Sequence, residues 1–177
     1  TASICGWGAD SAFAFSIAGF GPLPIYLAVA PVSFHLDALA SIFLALLSLV
    51  SMAVALYSPG YMEHLDKHAD KGAYWVQLIL FIAGMGGVIV AANAPTFLLN
   101  WELMALSSAL LIATNLTNQD SRRAAFIYLG ATRIATAFLM AGFFWMYLLT
   151  DSWSFNSWHF DSALTVWPAL LLLAAFS

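Results

Sequence analysis

Charge is what this chain has least of: 8% of its 177 residues are Asp, Glu, Lys or Arg, nine acidic and five basic. A soluble domain carries roughly 25%. An ordinary water-soluble enzyme is thereby excluded, as is a nucleic-acid binder, which needs a basic surface. An apolar content of 63% excludes a disordered segment. Cysteine is nearly missing too. Cys5 stands alone, so no intrachain disulfide, CxxC pair or cysteine-rich metal site can form. There is no Walker loop, GxSxG elbow or GxGxxG turn, and Gly84-Met-Gly-Gly87 reads as a helix-packing feature.

What is present is apolar sequence in runs near ~20 residues, the length that crosses a bilayer as a helix. The pattern predicts an all-α polytopic membrane protein. Four transmembrane helices are expected over 38–56, 74–92, 96–114 and 124–149, with a truncated fifth over 162–177. Ser58-Pro59-Gly60 reads as the breaker after the first span, and Asn93-Ala94-Pro95 separates the second from the third. Residues 1–36 read as the tail of an earlier helix followed by an irregular outer segment, because Gly19, Gly21, Pro22, Pro24 and Pro31 interrupt the apolar run. The chain starts at Thr1 and stops within an apolar run at Ser177, which suggests a single membrane domain cut from something longer.

The bases give an orientation. Lys67 and Lys71 fall between spans one and two, Arg122 and Arg123 between spans three and four, and 1–37, 93–95 and 150–161 hold none. The positive-inside rule puts loops 58–73 and 115–123 in the cytoplasm and 150–161 outside, in an inner or cytoplasmic membrane. Trp75, Trp101, Trp153, Trp158 and Trp167 sit near span ends, as an aromatic belt places them.

Two ionisable side chains fall inside spans, Glu102 and Arg133. A charge at the bilayer centre costs at least ~2.5–3.5 kcal/mol, so it faces a partner or water. Counting from the inner ends of their spans puts Glu102 at roughly 18 Å and Arg133 at roughly 14 Å, about one turn apart in depth. Glu102 shares a stripe with Ala105 and Ala109, and Arg133 with Gly130, Thr136, Ala137 and Ala141. The pair reads either as a fixed ion pair or as a proton site in which Glu102 titrates and Arg133 tunes it. Asp37, Ser41, Ser48 and Ser51 recur at helical spacing on the first span, as a proton path or as packing serines, with Asp37 also placed to cap the helix.

His64 and His68 are spaced i, i+4, but a solvated loop accounts for them better than a metal does. His35, His64, His68 and His159 all lie outside the spans, which argues against haem ligation in the bundle. Asn115-Leu-Thr117 matches a glycosylation acceptor but lies on the basic side.

Phe34-His-Leu-Asp37-Ala-Leu, Leu56-Tyr-Ser-Pro-Gly-Tyr61-Met and Asn100-Trp-Glu102-Leu-Met-Ala-Leu-Ser-Ser108 resemble motifs of the antiporter-like membrane subunits of respiratory complex I. Arg122-Arg-Ala-Ala-Phe-Ile-Tyr128-Leu followed by Thr132-Arg133-Ile-Ala-Thr136 is most similar, within that superfamily, to the B-type membrane subunit of hydrogenase 4 and formate hydrogenlyase. The resemblance covers roughly residues 34–150. It implies translocation of protons or Na⁺, driven by a redox partner, with Glu102 on the path. The family pairs this Glu with a Lys on a later helix, which would lie beyond Ser177. It implies no cofactor in this chain. Iron–sulfur, nickel–iron or flavin centres would belong to partner subunits, a peripheral redox module beside other membrane subunits. Two positions depart from the pattern: Thr136 stands where complex I relatives carry Asp, and Arg133 where many hydrogenase-4-like chains carry His. An arginine stays charged and cannot relay a proton as His does. A multisubunit Na⁺/H⁺ antiporter subunit and a non-pumping scaffold are the competing readings.

Overall fold

The computed structural model describes residues 13–17, 32–64, 71–113, 119–158 and 166–175. Strands β1 (Phe13–Ile17) and β2 (Val32–Leu36) precede α1 (Ala38–His64), α2 (Lys71–Ile89), α3 (Ala94–Ile112) and α4 (Gln119–Thr150). A single 3₁₀ turn over Phe155–Ser157 and a short α5 (Val166–Ala175) follow. The first four helices are long and apolar enough to span a membrane. The protein is therefore a multi-pass membrane chain, and most of its described residues are helical.

The structure corrects the sequence reading in three places. Residues expected to be the tail of a helix form β1, antiparallel to β2 in the register Phe13↔Leu36 to Ile17↔Val32. The aromatic and β-branched residues of these five-residue strands suit a pleated surface, and a hairpin satisfies main-chain groups that a short broken helix could not. Second, α1 does not stop at Ser58-Pro59-Gly60 but carries Pro59 inside it. Ser58 Oγ donates to the Val54 carbonyl at 2.7 Å and meets the Tyr74 hydroxyl at 2.9 Å. Neighbouring side chains of this kind let a membrane helix tolerate proline. Third, Lys71 opens α2, and Arg122 and Arg123 lie in the first turns of α4 rather than in loops.

The chain divides into two compact units. The first comprises 1–38, 90–99 and 133–177, and the second 39–89 and 100–132. In the first, the turn between α2 and α3 is threaded between two other segments. His35 N donates to Val90 O at 2.8 Å and Ala92 N to Ser33 O at 3.0 Å, extending the hairpin. On its other side, Ala94 N donates to Trp153 O and Phe155 N to Ala92 O. Both edges of β2 are thus paired, which leaves it no free strand edge. Phe97, Phe143, Phe155 and Trp158 pack their rings at centroid distances of 4.9–6.2 Å. Asp151, at φ 51°, ends α4 in the left-handed conformation, with its N–H on Tyr147 O at 2.7 Å. Leu172 and Pro168 of α5 lie against Gly142.

In the second unit, α1, α2 and α3 pack in antiparallel register. Ser58 meets Tyr74, and Leu44 and Leu47 lie beside Gly86. Gly84 lies against the Met104 main chain and Gly87 against the Asn100 carboxamide. A Cβ on Gly84 would sit 2.9 Å from Met104 N, so glycine sets how closely these helices approach. Met62, Tyr74 and Leu78 form a buried cluster with Trp75, Ile82 and Leu111 around it. Tyr128 of α4 joins α3 through Ser108 at 2.7 Å.

Candidate functional site: the intramembrane carboxylate of α3

Helix α3 begins at a defined cap. Asn93 Oδ1 accepts from Thr96 N at 2.8 Å, the capping bond that Asn makes in front of a helix. Its Nδ2 donates to Ser33 Oγ at 2.7 Å, and Ser33 N donates to Thr96 Oγ1 at 3.1 Å. Pro95 falls in the first turn, where its missing N–H has no intrahelical acceptor to lose.

Eight residues on from Ala94, roughly 12 Å along the axis, α3 carries Glu102. The residue is half-buried and its Oε1 is enclosed by protein. Helical spacing separates two sides of α3. Asn100, Met104 and Ser107 share the side that meets α2 through Gly84 and Gly87. Glu102 takes the opposite side with Ala105 and Ala109, which are 1% and 3% exposed. The small residues expected beside this carboxylate are buried with it. Ser107 Oγ returns to the Leu103 and Met104 carbonyls, so it caps its own helix turn.

Arg133 lies fourteen residues into α4, roughly 21 Å from Gln119. It is exposed, as are Ala137 and Ala141, while Thr136 turns into the buried face and is 6% exposed. Thr136 therefore does not share the surface of Arg133 as the spacing suggested. Gly130 is also exposed, and a Cβ there would meet nothing within 4 Å. Glu102 belongs to the second unit and Arg133 to the first.

Asp37, Ser41, Ser48 and Ser51 do not share one environment. Asp37 and Ser41 are exposed, and Ser48 is exposed with its Oγ on Ala45 O at 2.7 Å. Only Ser51 has its hydroxyl oxygen buried. The expected polar stripe reduces to one residue. Sequence reasoning passed over Gln77, whose Oε1 is buried in α2, and the Ser58–Tyr74 and Ser108–Tyr128 pairs. An amide in the middle of an apolar run was the available signal. Among the described residues no three His, Cys, Asp or Glu side chains come together as a metal site. The His64/His68 pair lies outside the residues whose side chains are described.

Four spanning helices, with a half-buried carboxylate beside buried alanines in one of them, define a polytopic membrane domain. Comparison with known proteins gives the family. Residues 91–177 match the family model described as NADH:quinone oxidoreductase/Mrp antiporter, transmembrane region. Residues 25–71 match the N-terminal model of chain 5 of NADH–ubiquinone oxidoreductase, complex I. The chain belongs to the complex I/Mrp antiporter family of membrane subunits. It is 34% identical over 130 residues to the chloroplastic NAD(P)H-quinone oxidoreductase subunit 5 of Chaetosphaeridium globosum, covering 71% of this chain and 18% of that one. It is 32% identical over 126 residues to a Staphylococcus saprophyticus protein named as antiporter subunit mnhA2, covering 71% and 16%. Against the F(420)H(2) dehydrogenase subunit L of Methanosarcina mazei the identity is 31% over 107 residues, covering 60% and 16%. The chain spans about a sixth of the length of these curated relatives. Each of these relatives is named as a subunit.

Proposed function

We propose that this chain is part of an ion-translocating membrane subunit, moving protons or Na⁺, and that Glu102 is a protonation site on its path. The observation that carries the proposal is the placement of Glu102: a carboxylate within an apolar spanning helix, its Oε1 enclosed, beside Ala105 and Ala109. Such a group is retained in a membrane at a cost of a few kcal/mol, which a role in ion transfer explains. Arg133 cannot carry a proton and acts in this reading as a fixed positive charge on α4. A redox module, holding iron–sulfur, nickel–iron or flavin centres in partner subunits, supplies the driving reaction. The narrower reading, a B-type hydrogenase-4 subunit, rests on the residues from Arg122 to Thr136. In it, the end bearing Lys71, Arg122 and Arg123 faces the cytoplasm of an inner membrane, and a reporter fused within 115–118 reads that side directly.

The test is Glu102→Gln, which keeps the shape and removes the charge. In native membranes reconstituted into vesicles it abolishes ion translocation while the complex assembles in normal yield. Translocation at the unmodified rate would remove Glu102 from the path and favour the scaffold reading.

A further inference from the structure

Among the described residues of α1 and α2, two buried side-chain oxygens have no hydrogen-bond partner: Ser51 Oγ on α1 and Gln77 Oε1 on α2. A buried amide or hydroxyl oxygen left unmatched is destabilising, and a buried polar group without a protein partner is commonly matched by ordered water. Their positions follow from the helix register. Ser58 opposite Tyr74, and Leu44 and Leu47 opposite Gly86, place Ser51 level with residue 81 of α2. Gln77 lies four residues, or roughly 6 Å, from that level, and the Ser58–Tyr74 pair three residues, or roughly 4.5 Å, further on. Differences in depth of this size leave the three polar groups at successive turns, close enough in level for ordered water to link them.

The faces agree with the depths. Ser51 belongs to the stripe of Leu44, Leu47 and Ser58, the side of α1 turned to α2. Gln77 lies one turn from Tyr74, which meets α1, and two turns from Gly84, which meets α3. It therefore projects from α2 between its two neighbours. The row Ser51, Gln77, Ser58–Tyr74 descends from mid-helix toward the end where Lys71 opens α2. It runs on the far side of α3 from Glu102.

We propose that Ser51 and Gln77 hold a buried water site between α1 and α2, continued by the Ser58–Tyr74 hydroxyls. It gives protons an uptake route from the Lys71 end into the middle of the helical unit. The route, though not the water site itself, rests on the ion-translocating reading above. Gln77 is the central member: its amide both accepts and donates, so it bridges waters on either side. Tyr74 OH and Ser58 Oγ are exchangeable hydroxyls that pass a proton by donating one hydrogen while accepting another. At each hydroxyl one O–H bond forms as another breaks, so the groups are regenerated, the proton moves on, and no redox partner is needed.

The water site is tested by thiol chemistry, which does not depend on ion movement. In a Cys5→Ser background in native membranes, Ser51→Cys is expected to react with N-ethylmaleimide about tenfold faster than Leu49→Cys, because only a hydrated thiol ionises to the reactive thiolate. Leu49 points to the outside of α1 and is 62% exposed. Adding Gln77→Leu is expected to slow the Ser51→Cys reaction to the Leu49→Cys rate, and Gln77→Met serves the same purpose should the leucine variant fail to insert. Equal reactivity at the two positions would overturn the site, as would labelling indifferent to residue 77. The route is tested by ion translocation in Gln77→Leu, expected to fall severalfold with Gln77→Glu restoring it. Unchanged translocation would overturn the route. Fast labelling combined with full translocation in Glu102→Gln would refute the Glu102 assignment and leave the water site standing.

Discussion

Around Asn93 the first unit is tied by main-chain hydrogen bonds: β2 on one side, residues 153–155 on the other, and the side chain of Asn93 between them. The second unit has no such seam among its described residues. Its helices meet through Gly84, Gly86 and Gly87, and the hydroxyl pairs Ser58 with Tyr74 and Ser108 with Tyr128 are among their polar contacts. The difference follows from the helix itself. A helix spends its main-chain bonds internally, so helices can hold one another only by close surface packing and by side chains. The strands and turns of the first unit have main-chain groups left to share.

This contrast predicts which substitutions each unit tolerates. The largest effect belongs to Gly84→Ala. The added carbon would meet the Met104 main chain, which cannot turn aside, so α2 and α3 must separate, at the upper end of the ~1–3 kcal/mol typical of overpacking. Gly142→Ala in the first unit meets the Leu172 side chain, which can rotate, and costs less than about 1 kcal/mol. Detergent-dependent thermal unfolding of the two variants measures the gap, and equal losses would erase the distinction.

Next comes Asn93→Ala. It removes the α3 cap and the bond to Ser33 together and costs about 1–2 kcal/mol. Asn93→Asp keeps the acceptor and recovers most of that. Hydrogen exchange at the amides of 33–35 and 92–96 reports it, and should rise in the first unit alone. A rise spread evenly over α1 and α2 would mean the seam is not confined as described.

The smallest effect is that of Tyr74→Phe, about 0.6 kcal/mol, the usual worth of one hydroxyl contact between membrane helices. The Tyr74 ring stays in its cluster with Met62 and Leu78, so only the bond to Ser58 is lost. A loss several times larger would show Ser58 holding α1 straight across Pro59 through that contact.

The same contrast explains what could be read from the chain. Helices α1 to α4 were legible because twenty-residue apolar runs have one outcome in a membrane. Glu102 and its alanines were legible because a charge in such a run stands out. The continuation of α1 through Pro59 was not, because it depends on Tyr74 of another helix. Nor was the hairpin, since its partners at 90–92 are more than fifty residues away and carry no shared pattern. Ser51 differs from Ser48 only by the side of α1 it occupies, and three residues of spacing did not settle which side faces α2.

The pairing of β2 also orders events during synthesis. Its first partner, β1, leaves the ribosome before it. Its second, residues 90–92, follows only after α1 and α2, and the strip that covers those residues in turn, 153–155, comes last of all, behind α3 and α4. The sheet therefore keeps an open edge, first that of β2 and then that of 90–92, while four helices are threaded into the bilayer. Contacts so distant along the chain close slowly. During that wait an exposed strand edge invites pairing with the wrong chain. The insertion machinery has to shelter this edge until the fourth helix is in place, and the last few residues to arrive act as the latch.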